Sequence, residues 1–115
     1  MRRFRFVLPL MFACLALTAV TAVTAAAAEV EIPVTIEKNR FQPSEIKVKA
    51  GEPFVLVVTN KDATPEEFES KELKIEKVIP PGQTVKVRVR ALKPGTYNFV
   101  GDYHQSTAKG RIVAE

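Results

Sequence analysis

The sequence has 115 residues, 17 basic against 13 acidic side chains, a formal charge of +4 and a single histidine. That length supports one small domain with one core. The excess of positive charge comes from Arg2, Arg3 and Arg5, so the remaining 87 residues carry 14 basic and 13 acidic groups and show no electrostatic footprint for nucleic acid or a membrane surface.

The three arginines precede an apolar stretch from Phe6 to Val23 and the small-residue run Thr24-Ala25-Ala26-Ala27-Ala28. A basic start, an apolar middle and a small-residue end predict a secretory signal peptide over 1–28, cleaved to leave Glu29 first, with an uncleaved membrane anchor as the alternative. The sole cysteine, Cys14, lies inside this segment, and Met11-Phe12-Ala13 before it fits a lipobox only loosely. Residues 29–115 can therefore form neither a disulfide nor a thiolate ligand. The expectation is one exported domain over 29–115, in the periplasm, with no integral membrane segment once the signal is removed.

Beyond residue 28, alternation and β-branched runs replace any helical period. Val30, Ile32, Val34 and Ile36 alternate with polar residues as in a half-buried strand, and Pro33 suggests an edge. Phe41-Gln42-Pro43 reads as a break. Glu45 to Lys49 follows as a short strand with Ile46 and Val48 inward. Ala50-Gly51-Glu52-Pro53 is a turn, and Phe54 to Thr59, apolar on both faces, has the pattern of a central strand. After a loop over 60–65, Glu66 to Ser70 reads as a short strand. Leu73, Ile75 and Val78 suggest a weaker alternating segment, stopped by Pro80-Pro81-Gly82. Thr84 to Arg90 sends Val85, Val87 and Val89 inward, and its outward cations suit a charge-protected edge. Lys93-Pro94-Gly95 turns the chain, and strands follow at Tyr97–Val100 and Lys109–Ala114. Seven or eight short strands with regular turn signals predict an all-β Greek-key sandwich or barrel.

Two segments concentrate metal-ligating side chains. In "TPEEFES" a strand would place Glu66 on the face of Phe68, with Glu67 and Glu69 on the other. Phe68 belongs in a core, so Glu66 would point inward and need a partner. The second segment is Asp102-Tyr103-His104. Carboxylates with one imidazole suit copper(II), iron or zinc. Each residue also has a plainer reading: solvated glutamates, an exposed loop histidine, an aspartate capping a turn. No phosphate loop, dinucleotide fingerprint or nucleophile elbow occurs, and no nucleophile–base pair supports a hydrolase.

The order of these features resembles a cupredoxin. The stretches "FQPSEIKVKAGEPFVLVVTN", "IPPGQTVKVRV" and "LKPGTYNFVGDYHQSTAKGRIVAE" carry the resemblance across residues 30–115. In blue-copper members Tyr-x-Phe-x-Cys is followed by histidine, often methionine, then glycine and the last strand. Here Tyr97 and Phe99 match, His104 stands at the histidine and Gly110 precedes the last strand. Gly101 stands at the cysteine, Ala108 or Lys109 at the methionine, and Glu66 at the first histidine. A type 1 blue site needs a thiolate, so intense blue colour is not expected.

A closer resemblance is to the cupredoxin-like domains of the EfeO/FtrB type, which belong to periplasmic iron transport. It rests on Glu67-Phe68-Glu69, on Glu76-Lys77 before the proline–glycine turn, and on Gly101 to His104. The resemblance implies a copper- or iron-binding protein that assists ferrous iron uptake by oxidation or electron transfer. An inner-membrane iron permease or another periplasmic iron-transport subunit would be its partner. The implied ligands are His104 with Glu66, Glu67 or Glu69, and then Asp102 and Glu76; Glu76 could equally be an exposed partner of Lys74 or Lys77. The competing expectation is a metal-free interaction module whose acidic loop 62–72 docks a membrane transporter.

Overall fold

The computed structural model describes residues 3, 7, 9, 13–23 and 28–115. The segment read as a signal peptide lies in large part outside them. Among the described residues, no helix is long and apolar enough to cross a membrane.

Residues 30–114 form nine strands in two sheets. The first sheet has the order β2-β1-β4-β7, with β1 Val30–Glu37, β2 Arg40–Gln42, β4 Phe54–Asn60 and β7 Thr84–Val89. The second has the order β3-β9-β8-β5-β6, with β3 Glu45–Val48, β5 Glu66–Ser70, β6 Ile75–Ile79, β8 Gly95–Gly101 and β9 Lys109–Ala114. The chain passes repeatedly between sheets, as a Greek-key sandwich requires, and the pairs β1–β4 and β3–β9 are parallel. A single 3-10 turn, Asp102–His104, lies between β8 and β9.

The alternation seen in the sequence sets which side chains meet between the sheets. β4 is central and buries Phe54, Val55, Leu56 and Val58. From β7, Val87 and Val89 point inward, and Lys86 and Arg88 reach Glu31 and Glu29 on the outer face. Pro33 sits where β1 pairs only with β4, because β2 covers only residues 35–37. The position is locally an edge, where a missing N–H costs no ladder bond.

Two expectations are corrected. Arg40–Gln42, overlapping the Phe41-Gln42-Pro43 stretch read as a break, is strand β2, paired back onto β1. The two-residue turn Lys38-Asn39 takes positive φ at both positions, and Asp62 accepts hydrogen bonds from both backbone N–H groups at 2.8 and 2.9 Å. A long-range carboxylate thus supports a turn that its own sequence does not announce. In β6 the buried residue is Ile79, and Val78 faces out at 47% exposure. Leu73 is buried in the turn before β6.

Three phenylalanines, one from each of β2, β5 and β8, fill the centre. Phe68 and Phe99 stack with centroids 4.8 Å apart, and Phe41 meets them edge-on at 6.0 and 5.0 Å. Such geometries add ~0.5–1.5 kcal/mol per pair beyond area burial. Gly110 is glycine for this reason: a Cβ there would fall on the Phe99 ring. Phe68 is fully buried and aligned with the site-bearing side of β5. Phe68→Ala is therefore expected to lower unfolding free energy by about 3–5 kcal/mol in urea denaturation, with the site disordered before the first sheet.

Candidate functional site

Asn60, buried at the end of β4, fixes the loop that delivers β5. Its Nδ2 donates to the carbonyls of Thr64 and Ile79 at 2.8 and 3.0 Å, and its Oδ1 accepts from Asp62 N at 3.0 Å. With all three bonds made, loop 61–65 enters β5 in one register. That register puts Glu66, Phe68 and Ser70 inward and leaves Glu67 and Glu69 half-buried on the other face.

Glu66 is 1% exposed. Its Oε1 accepts from the backbone N–H of Glu67 and of Tyr103, both at 3.0 Å. Its Oε2 lies 2.6 Å from His104 Nδ1. An ionised carboxylate can only accept, so against the Glu66 carboxylate the imidazole donates through Nδ1–H. Nε2 is then the ring nitrogen without a partner among the described residues, on a side chain 27% exposed.

The opposite wall is the turn after β8. Gly101 pairs with Phe68 across the β5–β8 ladder, and its N–H donates to Ala108 O at 2.8 Å. The carbonyl of His104 accepts from Thr107 and Ala108 at 3.1 and 2.8 Å, and Thr107 Oγ1 donates to Asn39 O at 2.7 Å. These bonds hold the imidazole over the carboxylate. A Cβ at Gly101 would lie 2.6 Å from Glu66 Cδ, 2.8 Å from its Oε1 and 2.6 Å from Ala108 Cβ. The carboxylate fills the space that any side chain at position 101 would need.

The other predicted residues gather on the outer face of the same sheet. Glu69 stands opposite Glu76 in the β5–β6 ladder, and single ligand oxygens of Glu67, Glu69 and Glu76 all lie within 4.8 Å of one another. Asp102 borders them. Its hydrogen bond to Glu69, with partial burial and the like charges of Asp102 and Glu76, raises the Glu69 carboxyl above the ordinary range, and Lys71 opposes the shift. Tyr103 is also raised, by burial and then by the negative charge of Glu67. The six candidates therefore divide into an inner pair, Glu66 and His104, and an outer group, Glu67, Glu69, Glu76 and Asp102. Sequence reasoning missed the backbone N–H of Tyr103 and the space provided by Gly101; the glycine at the cysteine position was the available signal.

The two-sheet architecture and its loop-borne site match known proteins. The sequence profile described as a cupredoxin-like domain covers residues 9–114. The chain belongs to the cupredoxin-like family. It is 39% identical over 83 residues to the uncharacterized protein RP394 of Rickettsia prowazekii (strain Madrid E), a match covering 72% of this chain and 66% of that protein's length, just under two thirds. Among solved structures, auracyanin A, a "blue" copper protein of Chloroflexus aurantiacus, matches with a TM-score of 0.65 and 17% identity over 76% of this chain and 100% of its own. The metal-binding domain of the Cu(I)-exporting ATPase CopA of Streptococcus pneumoniae D39 gives 0.68 and 17%, over 79% and 91%. A reduced amicyanin mutant gives 0.60 and 21%, over 77% and 86%. At these identities the structures establish a shared fold.

This cupredoxin-like domain does not fit a thiolate copper centre. It has no cysteine in 29–115, and Glu66 fills the volume beside Gly101. Nor are the inner donors spaced as a chelate. Two N/O ligands on one ion at ~2.0–2.2 Å stand roughly 2.9–3.4 Å apart, whereas Nδ1 and Oε2 are 2.6 Å apart and share a proton. The outer carboxylates do fit a hard cation: they are oxygen donors, adjacent on neighbouring strands, and crowded enough to hold a proton above its usual range.

A raised carboxyl binds its proton more tightly folded than unfolded, so its contribution to stability falls as pH rises from the ordinary glutamate value through the raised one. In metal-free protein, Asp102→Asn is expected to bring the Glu69 titration down toward the ordinary range and remove that pH-dependent loss. Carboxyl-carbon NMR of Glu69 across pH 3–8 checks it.

Proposed function

We propose that this protein is an exported, periplasmic cupredoxin-like carrier that takes copper(II) or iron at the outer carboxylates and serves ferrous iron uptake beside an inner-membrane permease. The observation that carries this reading is the convergence of Glu67, Glu69 and Glu76 oxygens within 4.8 Å. Structural neighbours include a blue copper protein and the metal-binding domain of a Cu(I) exporter, and the resemblance of Glu67-Phe68-Glu69, Glu76-Lys77 and Gly101–His104 to iron-transport cupredoxins points to iron as cargo.

Carboxylate oxygens are hard donors and favour Cu(II) and Fe(III) over Cu(I). Bound copper(II) would supply a one-electron acceptor. Glu67 and Glu69 from β5 and Glu76 from β6 would hold the ion on a rigid two-strand platform. Asp102 would supply further negative charge at the margin, and an ion would compete there with the proton that Glu69 binds more tightly than an ordinary glutamate. Tyr103, close enough to feel the Glu67 charge, borders the platform. Glu66 and His104 would fix the 3-10 turn that carries Asp102 and Tyr103.

A second reading is favoured by the same surface. Tyr103 and Val78, each 47% exposed, flank the carboxylates, an arrangement suited to docking a transporter through loop 62–72 without metal. Isothermal titration of the domain with Cu(II) distinguishes the two. The reading predicts one site per chain, weakened at least tenfold by E67Q/E69Q and sensitive to pH through Glu69. Equal affinity in the double variant would contradict it, and a chain that takes up no copper or iron yet captures the permease would favour the docking reading.

A further inference from the structure

We propose that the Glu66 carboxylate occupies the place of the metal ion in this fold, as a built-in cross-link between β5 and the β8–β9 turn. The inference is independent of whether the outer carboxylates bind metal. Three observations carry it.

The first is topological. A metal at the sandwich rim ties the strand bearing its first ligand to the loop bearing the others, and Glu66 makes that same tie. It bonds its own strand through Glu67 N–H and the turn through Tyr103 N–H and His104 Nδ1. The second is steric. At position 101 even a methyl group would lie 2.6 Å from the Glu66 carboxyl carbon, far inside van der Waals contact, so the glycine and the carboxylate are a matched pair. The third is saturation. Glu66 is buried with every side-chain oxygen bonded, and no buried side-chain N or O among the described residues lacks a partner. A buried carboxylate is stable only when surrounded this way, so both Glu66 oxygens and His104 Nδ1 are already engaged. The consequence for function is selectivity: the inner position between β5 and the turn is closed to a soft metal by the protein itself, and at the rim an incoming ion meets the outer oxygens and, on the ring, only Nε2.

A double-mutant cycle tests the steric pair. Gly101→Ala in the otherwise unchanged domain is expected to lower the thermal midpoint by about 10 °C or more. In a chain carrying E66A and A108G, which removes both clashing groups, the same change should cost much less. Equal losses in the two backgrounds, or no loss in the first, would overturn the proposal. Spectroscopy gives a readout that a merely structural role would not move. G101C alone, mixed with Cu(II), should stay colourless. E66H/G101C/A108G, with the carboxylate gone and a His–Cys–His set assembled, should show the intense absorption of a copper–thiolate centre. A blue G101C chain, or a folded colourless triple variant, would contradict it. The unmodified domain supplies a third arm. Zn(II) should leave the Nδ1–H proton resonance of His104 in place, and its loss on metal addition would refute the assignment.

Discussion

A carboxylate buried between two β-sheets needs donors from its immediate surroundings, because water cannot supply them. Glu66 finds three, and all come from residues whose positions it helps to fix. Without the N–H of Tyr103 and the imidazole of His104, the carboxylate would be an uncompensated buried group. Without the carboxylate, the 3-10 turn would lose its anchor to β5. The rim is thus held by mutual dependence, and Gly101 lacks a side chain because the carboxylate and Ala108 fill the volume one would need. Asn60 acts one layer back by fixing the loop that sets the β5 register.

That register separates two chemistries across one strand. On the inner face of β5, Glu66 is dry, bonded and closed to ligands. On the outer face, Glu67 and Glu69 meet Glu76 and Asp102 with their charges only partly offset. A period of two separates these roles by a single residue. The relatives with solved structures share the sandwich, yet the family's fold does not dictate a thiolate centre. Here the oxygen-rich face suits oxidised, hard ions, and that preference is what the proposed part in iron uptake draws upon.

Much of this was legible in the sequence. The alternation in TVKVRV and the two-faced apolar run FVLVVT fixed β7 and β4, because burial on one face or two leaves different patterns. The placement of Glu66 beside Phe68 on the inner face also followed from the strand period. What escaped was long-range. Strand β2 depends on Asp62 supporting a turn more than twenty residues away, and Ile79 rather than Val78 is buried because it keeps the period-two phase of Leu73 and Ile75, which Val78 breaks. The pairing of Glu66 with His104 spans 38 residues, and no local pattern encodes which of three neighbouring glutamates meets the ring. Tyr103 contributes through its backbone, which sequence chemistry does not single out.

The central claim concerns where an ion can and cannot sit, and anomalous diffraction at the copper edge from crystals of the domain soaked in Cu(II) addresses it directly. The account predicts an anomalous peak among the Glu67, Glu69 and Glu76 oxygens, with Glu66 and His104 still in direct hydrogen-bond contact. A peak between Glu66 and His104, with the two side chains spread apart around it, would contradict the account.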